Sequence, residues 1–161
     1  MLVSICIPVY NCEKFLFEAL KNINSQAYKN IEVIISDNHS TDGTSEIIDK
    51  FLSESKFPVK VFKPVTFLSA VDNWNFCISK ASGTYIKVLF ADDYLLPDCI
   101  SKMVKVAESD PEIGFVYCAR EIINSGTDSE SFSHFKKINE DSYNFWSENP
   151  EPIQQWQEIS F

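Results

Sequence analysis

The chain has 161 residues, enough for one domain with a real core. Hydrophobic residues make up 45% and charged residues 23%, which excludes a disordered chain. The net charge of −9, with Arg120 the single arginine, argues against a nucleic-acid partner. A small phosphorylated ligand held through a divalent metal stays compatible.

Leu2 to Pro8 is a short apolar run and reads as a first strand, with Val9-Tyr10-Asn11 as the turn after it. Glu13 to Ser25 carries Phe15, Leu16, Ala19, Leu20 and Ile23 at helical spacing. Ile31 to Ile35 is a second strand. The polar run Asp37 to Thr44 follows, rich in helix-capping residues, and leads into a helix over Ser45 to Leu52. Val59 to Phe62 is a third strand, and Ser69 to Ala81 a third helix. Gly83 to Pro97 holds a fourth strand, Tyr85 to Phe90, then Asp92 and Asp93. Pro97 to Glu108 is a fourth helix, and Ile113 to Cys118 reads as a fifth strand. Strands alternating with helices predict an α/β fold, a Rossmann-like, mostly parallel sheet flanked by helices.

After Asn124 the pattern fades. Residues 1–124 read as the core, and 125–161 as an irregular tail. Five scattered cysteines without a C-x-x-C pair read as reduced thiols. With no signal-peptide pattern and no long apolar run, the expected location is cytoplasmic, at most at the inner membrane face. The tail aromatics Trp146, Trp156 and Phe161 offer a surface for self-association.

Three strand ends carry polar residues: Tyr10-Asn11, Asp37-Asn38 and Asp92-Asp93. In a parallel sheet all three fall at one edge, around one crevice. An aromatic ring can stack on a base, and Asp or Asn can pair with its edge or with a ribose hydroxyl. Carboxylates on a loop suit Mg²⁺ or Mn²⁺ when substrate phosphates complete the shell. The implied ligand is a nucleotide diphosphate. A receiver-like or flavodoxin-like binding domain also places acids at strand ends. Neither G-x-G-x-x-G nor a P-loop motif occurs.

The runs Val3 to Asn11, Ile31 to Gly43, and Gly83 to Asp93 with Pro97-Asp98 resemble the family 2 glycosyltransferases. The resemblance covers residues 1 to about 124 and implies the GT-A fold, as an N-terminal donor-binding domain. It implies transfer of a sugar from a nucleotide-diphosphate donor, of UDP type, to a saccharide or lipid-linked acceptor, with inversion and with Mn²⁺ or Mg²⁺. Cell-envelope polysaccharide synthesis is the expected setting. By resemblance, Pro8, Tyr10, Asn11, Asp37 and Asn38 hold the nucleoside. Asp92 falls at the metal-binding acid of the D-x-D-type motif, with Asp93 beside it. Phe90 stands where the commoner motif has its first acid. Trp74 stands where many members carry arginine and is expected in the core; Asn75 is the expected further ligand.

A base for the acceptor hydroxyl is not assigned. Glu140, Asp141, Glu148 and Glu151 lie in the tail without a family-like context. His39 reads as an exposed loop residue, and His134 has no role. The chain therefore also reads as a truncated, inactive fragment or a non-catalytic nucleotide-sugar-binding module.

Overall fold

A computed structural model describes residues 1–118 together with Ser133, Lys136 and Lys137. Two compact units are present, Met1–Val116 and Tyr117–Phe161. The first contains four strands and four helices: β1 (Val3–Val9), α1 (Leu16–Asn24), β2 (Ile31–Asp37), α2 (Thr44–Glu54), β3 (Val59–Phe62), α3 (Ala70–Ile78), β4 (Tyr85–Val88) and α4 (Cys99–Ala107). The four strands form one parallel sheet in the order β3-β2-β1-β4.

Strand alternation assigns the two faces. Val3, Ile5, Ile7 and Val9 of β1 and Ile31, Val33 and Ile35 of β2 pack with Leu16, Leu20 and Ile23 of α1. Ile48 and Phe51 of α2 and Ile100 and Val104 of α4 complete that core. The opposite face is smaller, with Cys6 and Ile34 against Cys77 of α3. Helices on both faces bury β1 and β2 completely, which explains their unbroken apolar runs.

Two expectations on strand limits are corrected. β4 ends at Val88, not Phe90. Even-numbered residues of β1 face β4: Tyr85 donates to the Leu2 carbonyl, and Leu89 to the Cys6 carbonyl. Pro8 is the next position on that side and has no N–H to give, so the ladder stops. The expected fifth strand over residues 113–118 is not formed. Phe115 is 80% and Tyr117 55% exposed, and among the described residues no strand lies alongside to complete a ladder.

A charged residue sits inside the sheet at the edge where the strands begin. Glu32 accepts from Ser4 Oγ (2.6 Å), the Ser82 amide and hydroxyl (both 2.7 Å) and Lys60 Nζ (2.9 Å). Burial opposes its charge, but the bonds from Ser4, Ser82 and Lys60 prevail and lower its pKa from 4.5 to about 2. A depressed carboxylate stabilises the fold above its unfolded pKa and loses that contribution as pH falls through the folded value. The urea midpoint of the wild type is thus expected to drop between pH 4.5 and about 2. In Glu32→Gln that drop should shrink. An identical pH profile in the two proteins would remove Glu32 as the titrating group.

Candidate functional site

The sheet order places a topological switch point between β1 and β4. From β1 the chain moves outward to β2 and β3, then returns to the other side of β1. Ligands in open α/β sheets bind beyond the carboxyl ends of strands at such a point. Pro8 ends the β1–β4 ladder at this edge. Pro8 itself is buried within β1.

The segments after β1 and β2 are stitched together. The Asn11 amide donates to Ser40 Oγ (3.0 Å), and the Thr41 amide to Asn11 Oδ1 (2.8 Å). The Cys12 amide donates to Thr44 Oγ1 (2.8 Å), the Glu13 amide to Asp42 Oδ2 (3.1 Å), and the Gly43 amide to Glu13 Oε2 (2.8 Å). Asn11 has φ 49° and His39 φ 62°, left-handed turns that Asn and His tolerate better than most residues. His39 is half-buried rather than exposed, because its Nε2–H donates to the Pro64 carbonyl at 3.0 Å.

Asn38 is 3% exposed, and both ends of its amide are bonded to one residue. Its Nδ2 donates to the Leu68 carbonyl and its Oδ1 accepts from the Leu68 amide, both at 2.9 Å. That pair fixes the chain entering α3. Asp37 is 5% exposed; its Oδ1 accepts from the Ser40 amide at 2.9 Å and its Oδ2 from Ser45 Oγ at 3.4 Å. Asn11 and Asn38 therefore act as braces. Tyr10 is 47% exposed and makes a T-shaped contact with Phe67 at 5.0 Å between centroids.

Helix α3 turns Asn73, not Asn75, to the sheet. Asn73 Oδ1 accepts from Ser36 Oγ at 2.6 Å, and its Nδ2 reaches the Val9 and Ser36 carbonyls at 3.5 and 3.4 Å. Asn75 lies about 200° further round the helix, on an exposed face, outside the group. Trp74 is not in the core. Asn73 and Cys77, four apart, occupy the buried face of α3, which leaves the Trp74 indole 38% exposed against Phe90.

Asp92 and Asp93 stand exposed between two buried anchors, Ala91 and Leu95. Gln26 secures the loop beyond them. Its Nε2 donates to the Leu96 carbonyl (2.9 Å) and its Oε1 accepts from the Ile100 amide, while the Ala27 amide donates to the Pro97 carbonyl. Sequence reasoning missed Gln26, Asn73 and Glu32, because polar residues inside apolar periods give no local sign of a buried partner.

Cys12 follows Asn11 in the turn after β1 and is half-buried. Burial pushes its thiol up, its bond to the Tyr10 carbonyl pulls the other way, and the charges of Asp42, Asp92 and Asp37 raise it further. A protonated thiol in an acidic surround is a poor nucleophile. Among the described residues no three His, Cys, Asp or Glu side chains converge on a metal position. Two adjacent exposed carboxylates fit a hard divalent ion whose shell is completed by phosphate and water, not a protein cage. No helix of the described residues is long and apolar enough to cross a membrane. His134, Glu140, Asp141, Glu148, Glu151 and the tail aromatics Trp146, Trp156 and Phe161 lie outside the described residues.

The profile of Glycosyl transferase family 2 matches residues 4–157. The abequosyltransferase RfbV of Salmonella typhimurium is 37% identical over 115 residues, 70% of this chain and 34% of that protein. The Escherichia coli UDP-Glc:alpha-D-GlcNAc-diphosphoundecaprenol beta-1,3-glucosyltransferase WfaP is 37% identical over 109 residues, 68% of this chain and 42% of that one. The crystal structure of S. aureus TarS 1-349 in complex with UDP superposes with a TM-score of 0.62 at 27% identity, covering 67% of this chain and 32% of that one. The mannosyltransferase PcManGT of Pyrobaculum calidifontis, in complex with GDP-Man and Mn²⁺, gives a TM-score of 0.64 at 25% identity, covering 70% of this chain and 33% of that one. The chain spans about a third of the length of RfbV and of these two structures.

Proposed function

The chain belongs to glycosyl transferase family 2 and has its GT-A fold, and from that premise we propose that it binds the nucleotide-diphosphate-sugar donor of a sugar transfer. The observation that supports the reading is that Tyr10, Asp37 and Asp92 lie at or beyond the carboxyl ends of β1, β2 and β4, one edge of a single parallel sheet. Tyr10 offers a ring face to the base. Asp37 accepts from the base edge or a ribose hydroxyl. Asp92, with Asp93, holds Mn²⁺ or Mg²⁺ beside the diphosphate. When bound, the metal neutralises charge that develops on the departing nucleotide diphosphate. Asn11 and Asn38 hold the loops that position Tyr10 and Asp37, and Pro8 ends the β1–β4 ladder at the same edge.

UDP in the TarS structure and UDP-Glc in the name of WfaP support a UDP-type donor. Mn²⁺ in the PcManGT structure supports the metal. The diphosphoundecaprenol in the name of WfaP supports a saccharide or lipid-linked acceptor, and so work on cell-envelope polysaccharide at the inner membrane face. Residues 1–124 form the donor-binding core in this reading, and 125–161 begin the acceptor side. Transfer is inverting, so a base must take the acceptor proton, and none is assigned among the described residues.

UDP with Mn²⁺ is expected to raise the melting temperature by on the order of 5 °C at saturating concentrations, since a ligand that binds only the native state stabilises it. UDP alone should do less. The reading fails if neither UDP nor any UDP-sugar, with Mn²⁺, moves the transition.

A further inference from the structure

Phe67, on the loop between β3 and α3, is left 60% exposed, and its ring meets that of Tyr10. The planes stand at 73°, an edge-to-face pair. Neither ring belongs to a buried cluster, so the core does not account for the contact. The backbone under both rings is fixed from one place, just past the end of β2. Asn38 bonds the Leu68 carbonyl and amide, and His39 Nε2–H donates to the carbonyl of buried Pro64. Asn38 and His39 thus hold the loop on either side of Phe67. The Asn38 amide also donates to the Val9 carbonyl at 2.9 Å, directly before Tyr10. Past Tyr10, Asn11 is tied to Ser40 and Thr41. The ends of β1 and β2 and the loop after β3 therefore form one braced unit. Asp37 belongs to it through the Ser40 amide. The braces fix the backbone and leave the side-chain rotation of Tyr10, which the edge-to-face contact with Phe67 restricts.

From this placement we propose that Phe67 is a positioning residue for the nucleoside of the donor, setting the orientation in which Tyr10 meets the base. The proposal rests on the nucleotide-sugar function proposed for the chain, in which Tyr10 takes the base, and deepens it. A tyrosine free to rotate loses affinity to the ordering of its side chain when a ligand binds. A ring already held by a neighbour loses less. The effect is confined to the base. Asp92 lies beyond β4, on the other side of β1 from β2 and β3, so the contribution of the metal does not pass through Phe67.

The test is calorimetry with UDP, with and without Mn²⁺, on single and double variants, beside a thermal melt of each. Phe67→Ala should weaken UDP by about fivefold, the size of one aromatic pair contact. The ratio of UDP affinities with and without Mn²⁺ should stay that of the wild type. Phe67→Tyr, which keeps the ring edge, should restore affinity to within about twofold. In a Tyr10→Ala background, Phe67→Ala should weaken UDP no further, because there is no ring left to orient. Unchanged UDP affinity in Phe67→Ala overturns the proposal. So does an equal loss in the Tyr10 and Tyr10→Ala backgrounds, which would mean that Phe67 acts without Tyr10. A melting temperature lowered in step with affinity, and not restored by Phe67→Tyr, would make Phe67 merely structural and also overturn it. All three outcomes leave UDP binding by the wild type, and with it the nucleotide-sugar function, in place. A wild type that binds neither UDP nor any UDP-sugar would take both down.

Discussion

Asp92→Asn is expected to lower Mn²⁺-dependent affinity for UDP by about a hundredfold, the loss of one charged ligand to a metal that holds two phosphates. The fold should not notice. Asp92 is exposed, and the loop is held by the burial of Ala91 and Leu95 and by Gln26, not by its carboxylate. Surface substitutions of this kind usually shift stability by no more than about 0.5 kcal/mol. The residual, metal-independent binding of UDP should be unchanged, because Tyr10 and Asp37 lie on other strand ends. Calorimetry with and without Mn²⁺, beside a thermal melt of the free protein, reads both terms. A variant that keeps its full Mn²⁺ dependence would remove Asp92 from the metal site and leave Asp93 as the remaining acid of the pair.

Gly83→Ala is expected to do the opposite, damaging the fold without touching the site. A methyl on Gly83 would stand 2.7 Å from the Ser4 amide nitrogen and 2.9 Å from the Leu2 carbonyl oxygen. Both are backbone atoms of the chain that pairs with β4, so no side chain can swing away. The Gly83 amide also donates to Ser4 Oγ at 2.8 Å, and Ser4 Oγ in turn donates to Glu32. Relieving the clash means pushing the start of β4 off β1 and loosening the Glu32 cluster. The cost should be about 3 kcal/mol, near the upper range for overpacking. For a chain of this size that corresponds to a melting temperature lower by about 9 °C. UDP affinity of the remaining folded protein should be unchanged, since Gly83 lies at the edge opposite the crevice. A melting temperature within about 2 °C of wild type would mean that β4 shifts at little cost.

The amino-acid sequence by itself determined the order of elements and the edge at which chemistry occurs. Apolar periods of two and 3.6 are local, and so are the Ser/Thr/Asp runs that start helices. Alternation of the two implied a parallel sheet, and a parallel sheet puts Tyr10, Asp37 and Asp92 at one edge whatever the details of packing. Only the tertiary structure decided which polar residues are free to meet a ligand. Asn11 and Asn38 have the chemistry of ligands, and in the fold their amides also bond Thr41 and Leu68, partners some 30 positions away. Asn73 and Asn75 are equivalent as letters, and the helix turns one inward and the other out. Trp74 looks like core by composition and is left at the surface because two smaller residues take the buried face of α3. The run 113–118 has a strand's composition but does not take up strand structure. The end of β4 was set by Pro8, 80 positions earlier in the chain, through a missing N–H. Such outcomes depend on pairings between distant segments, which a local pattern does not encode and which hydrogen-bond satisfaction in the folded chain enforces.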